Sequence, residues 1–179
     1  MKFEVQEDLR CVTEIKNFIP MNTRKSILMT FSFVSFLFMI TACEPGPQDI
    51  RINEQECDHC RMMISDERFG AQLVTEQGRQ YAFDAIECLA AFVNGRNSDQ
   101  LDIHSLWVPD FNQTGNWISA GEAVYLQSDN LRSPMALNFS AYSSEEAALA
   151  QKGDLNGVIL DWDELRLKVR EAWSDGHHH

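Results

Sequence analysis

The apolar run from Ile27 to Ile40, preceded by Arg24-Lys25 and closed by Thr41-Ala42-Cys43, constrains this chain more than any other stretch. Two positive charges, an apolar centre and a small-residue exit are the parts of a secretory signal. The competing reading is a transmembrane anchor. The 14 residues of the run, at ~1.5 Å each, span about 21 Å, which is short of a hydrocarbon core of roughly 30 Å. What folds is therefore expected to be the part after Ala42, outside the cytoplasm.

A cysteine directly after Thr41-Ala42 gives the signal a second meaning. It resembles a lipobox, which implies cleavage before Cys43, diacylation of Cys43, and a mature chain held on the periplasmic side of a bacterial membrane by its lipid. Residues 1–20 carry Glu4, Glu7, Asp8 and Glu14, which do not suit a secretion signal; Met21 is the expected start, and 1–20 an upstream extension that is non-native or mis-assigned. Residues 21–42 are the signal peptide, and Cys11 falls away with the extension.

Cleavage leaves 137 residues with 10 basic and 23 acidic side chains, a net charge of −13. Phosphate binding needs a basic face, so nucleic acid is excluded as a partner. With 44% hydrophobic and 23% charged residues the chain is neither disordered nor fibrous. With Cys43 lipidated, Cys57, Cys60 and Cys88 remain. An odd number of thiols in an oxidising compartment argues against a complete structural disulfide set.

Residues 43–49, the lipidated cysteine followed by Pro45, Gly46 and Pro47, read as a tether. Beyond it, Ala71–Thr75 and Gln80–Phe83 are β-prone runs around Glu76-Gln77-Gly78-Arg79, a hairpin signal. Asp84 with Glu87 three residues later forms an N-cap pair for a helix with Ile86, Leu89, Ala90 and Val93 on its buried face, ending near Gly95. The polar stretch 96–102 is the best internal boundary. Strands are expected at Ile103–Val108, Trp117-Ile118, Ala123–Leu126, Met135–Phe139 and Val158–Leu160. Ser143 with Glu146 opens a second helix that stops at Gly153, and Asp161 caps a final one with Leu165, Leu167 and Val169 as its apolar residues. Phe83-Asp84-Ala85 and Phe139-Ser140-Ala141 suggest one strand-to-helix unit used twice. The expected fold is α+β: two small related halves, about 50–95 and 103–168, each with short antiparallel strands and a helix, followed by a tail from 169 to 179.

Chemistry concentrates in Cys57-Asp58-His59-Cys60-Arg61-Met62-Met63. Thiolates and thioethers are soft donors that favour Cu(I) over hard ions. The C-x-x-C spacing lets both sulfurs turn toward one ion, whereas an extended segment would send Met62 and Met63 to opposite faces, so at most one joins Cys60. Three other readings stand beside metal binding: a local Cys57–Cys60 disulfide, half of a zinc site, or a thioredoxin-like redox pair. The zinc site lacks a second C-x-x-C. The redox pair lacks its long helix, because Asp66-Glu67-Arg68-Phe69-Gly70 interrupts the segment.

These residues, with Ile64, Phe69-Gly70-Ala71-Gln72, Gly78-Arg79, Phe83-Asp84, Cys88, Trp117-Ile118-Ser119-Ala120, Ala123, Pro134-Met135 and Leu160-x-Trp162-Asp163-Glu164-Leu165, resemble the NosL family, lipoprotein accessory factors of nitrous oxide reductase. The resemblance covers about residues 50–168. It implies a periplasmic Cu(I) chaperone for the reductase's copper-sulfide centre, with the apo-enzyme and the transporter and maturation factors of the same system as partners. The partner set also admits a second copy of the chain. The family's Cys-x-Met pair maps onto Cys60 and Met62, and its later methionine onto Met135, although Ala136 stands where glycine usually follows. Cys57 is a ligand, a partner in a resting disulfide, or neither. Cys88 is a reserve ligand or a small core residue. His59 and His104 are candidates for Cu(I) or for a second, divalent ion beside it. Asp84 caps a helix or supports the metal. The terminal His177-His178-His179 is set aside.

Trp107, Trp117, Trp162 and Trp173 are expected to pack. No Gly-x-Ser-x-Gly elbow or phosphate loop is present in the sequence, so a binding protein is expected rather than an enzyme. The alternatives are a periplasmic thiol-disulfide oxidoreductase using Cys57 and Cys60, and a structural lipoprotein with incidental thiols.

Overall fold

A computed structural model of the chain describes residues 45–95 and 98–174. The extension, the signal, Cys43 and the terminal histidines lie outside the described residues. Among those described, no helix is long and apolar enough to cross a membrane.

Among the described residues the fold is α+β, with antiparallel sheets and three helices. Strands β1 (Ala71–Thr75) and β2 (Gln80–Phe83) form the expected hairpin, paired Ala71 to Phe83 through Val74 to Gln80. Its turn closes through Gly78 at φ +77°, a conformation open to glycine at little cost. Helix α1 (Ile86–Asn94) follows, then a short 3-10 turn at Ser98–Gln100. Next come β3 (Ile103–Asp110), β4 (Gln113–Ser119), β5 (Val124–Gln127), β6 (Phe139–Tyr142), helix α2 (Glu145–Leu155), β7 (Val158–Leu160) and helix α3 (Trp162–Ser174).

One sheet has the order β2-β1-β3-β4 and the other β6-β5-β7. In each, a central strand pairs with the strand after it, a helix crosses, and the next strand adds on the opposite edge. The unit is thus used twice, but its alignment differs from the one expected. Phe83 corresponds to Tyr142, not Phe139, and the residues before the helices, Ala85 and Ser144, share φ near −150° and ψ 159°. The polar stretch 96–102 does not separate the sheets, because it lies inside the first repeat and β3 returns to pair with β1.

The helix ends also depart from expectation. α1 has Ala85 as its N-cap with no side-chain bond, and the expected Asp84–Glu87 pair does not form. Asp84 Oδ1 instead accepts from the Ser65 N–H at 2.9 Å, and Glu87 turns into the core. α2 is capped by Ser144, whose Oγ accepts from the Ala147 N–H, and it runs through Gly153 to a left-handed Asn156. Asparagine tolerates that conformation better than most residues, so it can end a helix as glycine does. At α3 the expected cap does form: Asp161 Oδ1 accepts from the Glu164 N–H at 2.9 Å and Glu164 Oε2 from the Asp161 N–H at 3.0 Å. This helix continues to Ser174 and buries Val169, so residues 169–174 belong to it; Leu167 faces outward, 44% exposed. Met135 sits in a turn, and the strand begins only at Phe139.

Both sheets pack on one core, where Leu73 and Phe83 join Tyr125, Phe139, Leu160, Leu165 and Val169 around Cys57 and Cys88. Trp162 and Trp173 pack against it. The second part of the tether is not free spacer. The Gly46 carbonyl accepts from Gln80 Nε2 at 3.0 Å, and the Gln48 N–H donates to Gln72 Oε1 at 3.0 Å.

Candidate metal centre

The C-x-x-C segment is the tip of a tight hairpin. Glu56 bridges to Met63, the Cys57 N–H donates to the Met62 carbonyl at 2.8 Å, and the Arg61 N–H donates to the Cys57 carbonyl at 3.0 Å. Arg61 takes the left-handed conformation at φ +64° that turns the chain. Asp58 fastens this tip to β2: its N–H donates to the Ala82 carbonyl and its Oδ2 accepts from the Ala82 N–H, both at 2.8 Å. Since β2 leads through Asp84 and Ala85 into α1, the hairpin tip is held beside the first turn of that helix.

The result brings three sulfurs together. Those of Cys57, Cys60 and Cys88 all lie within 4.8 Å of one another, with Cys57 and Cys88 buried and Cys60 half-buried. All three are free thiols. Thiolates about 2.3 Å from an ion in a trigonal arrangement stand about 4 Å apart, a spacing compatible with sulfurs that lie within 4.8 Å of one another.

The electrostatics divide the thiols. The Cys88 thiol donates to Cys57, and backbone N–H groups of Cys60, Asp84 and His59 also point at the Cys57 sulfur; together they outweigh burial and hold Cys57 down to about 5. The proton that Cys88 shares with Cys57, together with burial, pushes Cys88 far upward. Burial raises Cys60. The pocket thus prepares one thiolate and keeps two protons that a soft cation can displace.

The remaining candidates are placed as follows. Met62 follows the hairpin tip, 50% exposed, its N–H directed at the Cys60 sulfur. Met63 is 45% exposed. Met135 is half-buried against the core that contains Cys57 and Cys88. His59 stands outside the sulfur group, its ring stacked on Trp173 at 5.8 Å and 5°. His104, on β3, lies 3.5 Å from Glu76 and is likewise not in the group. Asp84 directs its N–H at Cys57 while Oδ2 is buried without a hydrogen-bond partner among the described residues. Among those residues, no carboxylate or imidazole joins the three sulfurs, so a tetrahedral structural zinc site would lack its fourth ligand.

Sequence reasoning gave Cys88 least weight of the three, because no local spacing links it to a turn 28 residues earlier. It did not find the stacking of Trp173 on His59, nor a buried role for Glu87.

The NosL family model matches residues 49–169. Among solved structures, the crystal structure of the copper chaperone NosL from Shewanella denitrificans superposes with a TM-score of 0.59 at 19% identity, covering 67% of this chain and 95% of that one. At that identity the likeness speaks for the fold. No curated protein matches the chain.

Proposed function

Because the chain belongs to the NosL family, we propose that it is a copper chaperone that carries Cu(I) on the thiolates of Cys57, Cys60 and Cys88, with Met62 and Met135 as thioether donors. The observation that carries this reading is the group of three sulfurs within 4.8 Å of one another, without a hard ligand among the described residues. Soft donors in low coordination number suit Cu(I) and leave magnesium or calcium unsatisfied. The solved relative, described as a copper chaperone, supports the same cargo. Copper exchange would proceed by stepwise sulfur substitution. Cys60 and Met62 sit at the accessible side of the pocket, so they are the first to release the ion to a partner's sulfur, while buried Cys57 holds it last.

The family further supports delivery to nitrous oxide reductase, for its copper-sulfide centre, in concert with that system's membrane transporter. The sequence signal supports a lipid anchor at Cys43 on the periplasmic side. An excess of acidic side chains suits a basic docking patch on the receiver. The test is titration of the reduced protein with Cu(I), followed by X-ray absorption at the copper edge. One ion in an all-sulfur environment is expected; nitrogen or oxygen donors in the first shell, or turnover of a model disulfide without metal, would reject the assignment.

A further inference from the structure

Glu87 is fully buried in the first turn of α1, one residue before Cys88. A carboxyl group taken out of water is costly unless its oxygens are engaged; here Oε2 is buried without a hydrogen-bond partner among the described residues, and the engagement falls on the other oxygen. Its Oε1 is engaged twice, both times by one loop: the Ser133 hydroxyl donates to it, and the Asn138 N–H donates at 3.1 Å. Met135 lies between these two anchors.

That loop is the elongated counterpart of a tight turn. In the first repeat, four residues join β1 to β2; in the second, residues 128–138 join β5 to β6. The loop folds back on itself, with the Asn138 N–H also reaching Ser133 Oγ at 2.9 Å, the Ser133 N–H donating to Asn138 Oδ1 at 3.2 Å, and the Ala136 N–H donating to the Ser133 carbonyl at 3.1 Å. Ala136 and Asn138 hold φ of +64° and +62°. Left-handed alanine is unfavourable and persists where the surroundings over-determine it. The bonds to Glu87 tie those surroundings to the other repeat.

The geometry points to Glu87 as a positioning residue for copper ligation: it clamps the Met135 loop to the helical turn that carries Cys88, so that one element sets both the thioether and the thiolate side of the site. This rests on the reading of Met135 as a Cu(I) donor. Glu87 touches no metal in this account. It acts through Ser133 and Asn138, as outer groups do when they orient a ligand.

The test compares Glu87→Ala, Glu87→Gln, Ser133→Ala and Met135→Leu in the reduced chain. Gln keeps a carbonyl oxygen where Oε1 stands, so it should preserve the clamp. In metal-free protein, amide exchange across residues 133–138 should quicken in Glu87→Ala and Ser133→Ala but not in Glu87→Gln; unchanged exchange in Glu87→Ala overturns the clamp. Competition against a Cu(I) chelator should show Glu87→Ala and Met135→Leu each weakening affinity by about 10- to 100-fold, the double variant no further, and Glu87→Gln near wild type. Effects that multiply in the double variant overturn the positioning role. Wild-type affinity in Met135→Leu overturns the donor reading instead, and the copper role of Glu87 with it, while the exchange data still decide the clamp. Should Glu87→Ala not fold, Ser133→Ala, which removes one of the two bonds, carries the same comparisons.

Discussion

The three thiols share a pocket but not a role. Cys57 receives a hydrogen bond from Cys88 and three from backbone N–H groups, so in reduced, metal-free protein the ultraviolet thiolate absorbance should titrate with a midpoint at about 5; Cys57→Ser should abolish that step, and a first midpoint near the free-thiol value of about 8.5 would overturn the hydrogen-bond assignment. Between those two values the folded chain binds one proton fewer than the unfolded chain at this residue. Its contribution to stability is therefore complete above the free-thiol value and disappears as pH falls through about 5. Cu(I) affinity should fall over the same acidic range as protons reclaim the sulfur. Substitutions should then rank the donors by charge. Cys60→Ser and Cys88→Ser should each weaken Cu(I) by more than the roughly 10- to 100-fold that an orienting group contributes; Met62→Leu should weaken it less, and Met63→Leu should leave it unchanged. Chelator competition at fixed pH reads all four. Wild-type affinity in Cys88→Ser would reduce the site to the C-x-x-C hairpin. Whereas Met62 entered through the family resemblance, the pairing of Cys57 with Cys60 was legible from spacing, since both lie within one turn of chain. Cys88 was not, because Asp58 brings the turn to the helix through bonds to Ala82, and no pattern in the sequence marks that pairing.

Among the elements, what was legible is what short-range chemistry dictates. The β1–β2 hairpin follows from two β-prone runs and a glycine turn, and the α3 cap from Asp161 and Glu164 three apart. Asp84 and Glu87 show the same spacing and do something else: one bonds Ser65, the other the Met135 loop. A carboxylate three residues after another fits a cap or a buried clamp equally well until tertiary contacts choose. Strand pairing raises the same difficulty, since β3 pairs with β1 across 28 to 35 residues, from Thr75–Ile103 to Gln72–Trp107, and no local feature assigns it to the first sheet. Gly157 is a further case. A Cβ there would stand 2.5 Å from the Gln127 carbonyl oxygen and 2.6 Å from a Leu126 methyl. Gln127 lies in β5, whose backbone is pinned between β6 and β7, so the strand cannot yield cheaply. Gly157→Ala should lower stability by about 1–3 kcal/mol, the usual scale for overpacking, through separation of α2 and β7 from β5. Urea unfolding measures it, and an unchanged midpoint would show that the α2–β7 connection relaxes freely.

At the scale of the molecule, two repeats share one core, and that explains where the site lies. The hairpin tip and α1, which carry the three thiols, come with the first repeat; the second packs Met135 partly against the same core and, after β7, supplies the α3 helix whose Trp173 stacks on His59. Among the described residues, the first pinned groups are the Gly46 carbonyl and the Gln48 N–H, Ile50 and Ile52 pack partly against the core, and the first fully buried side chain is Cys57. A lipid on Cys43 would therefore add attachment without adding packing. We predict that Cys43→Ser leaves the urea midpoint and Cu(I) affinity of the folded part at wild-type values, while the protein either moves from the membrane to the soluble fraction or accumulates with its signal uncleaved. Membrane fractionation combined with intact-mass measurement distinguishes these outcomes. A Cys43→Ser chain that is cleaved before residue 43 and still sediments with membranes would show the anchor to be misassigned, whereas a loss of copper binding would show that the segment before Gly46 takes part in the site.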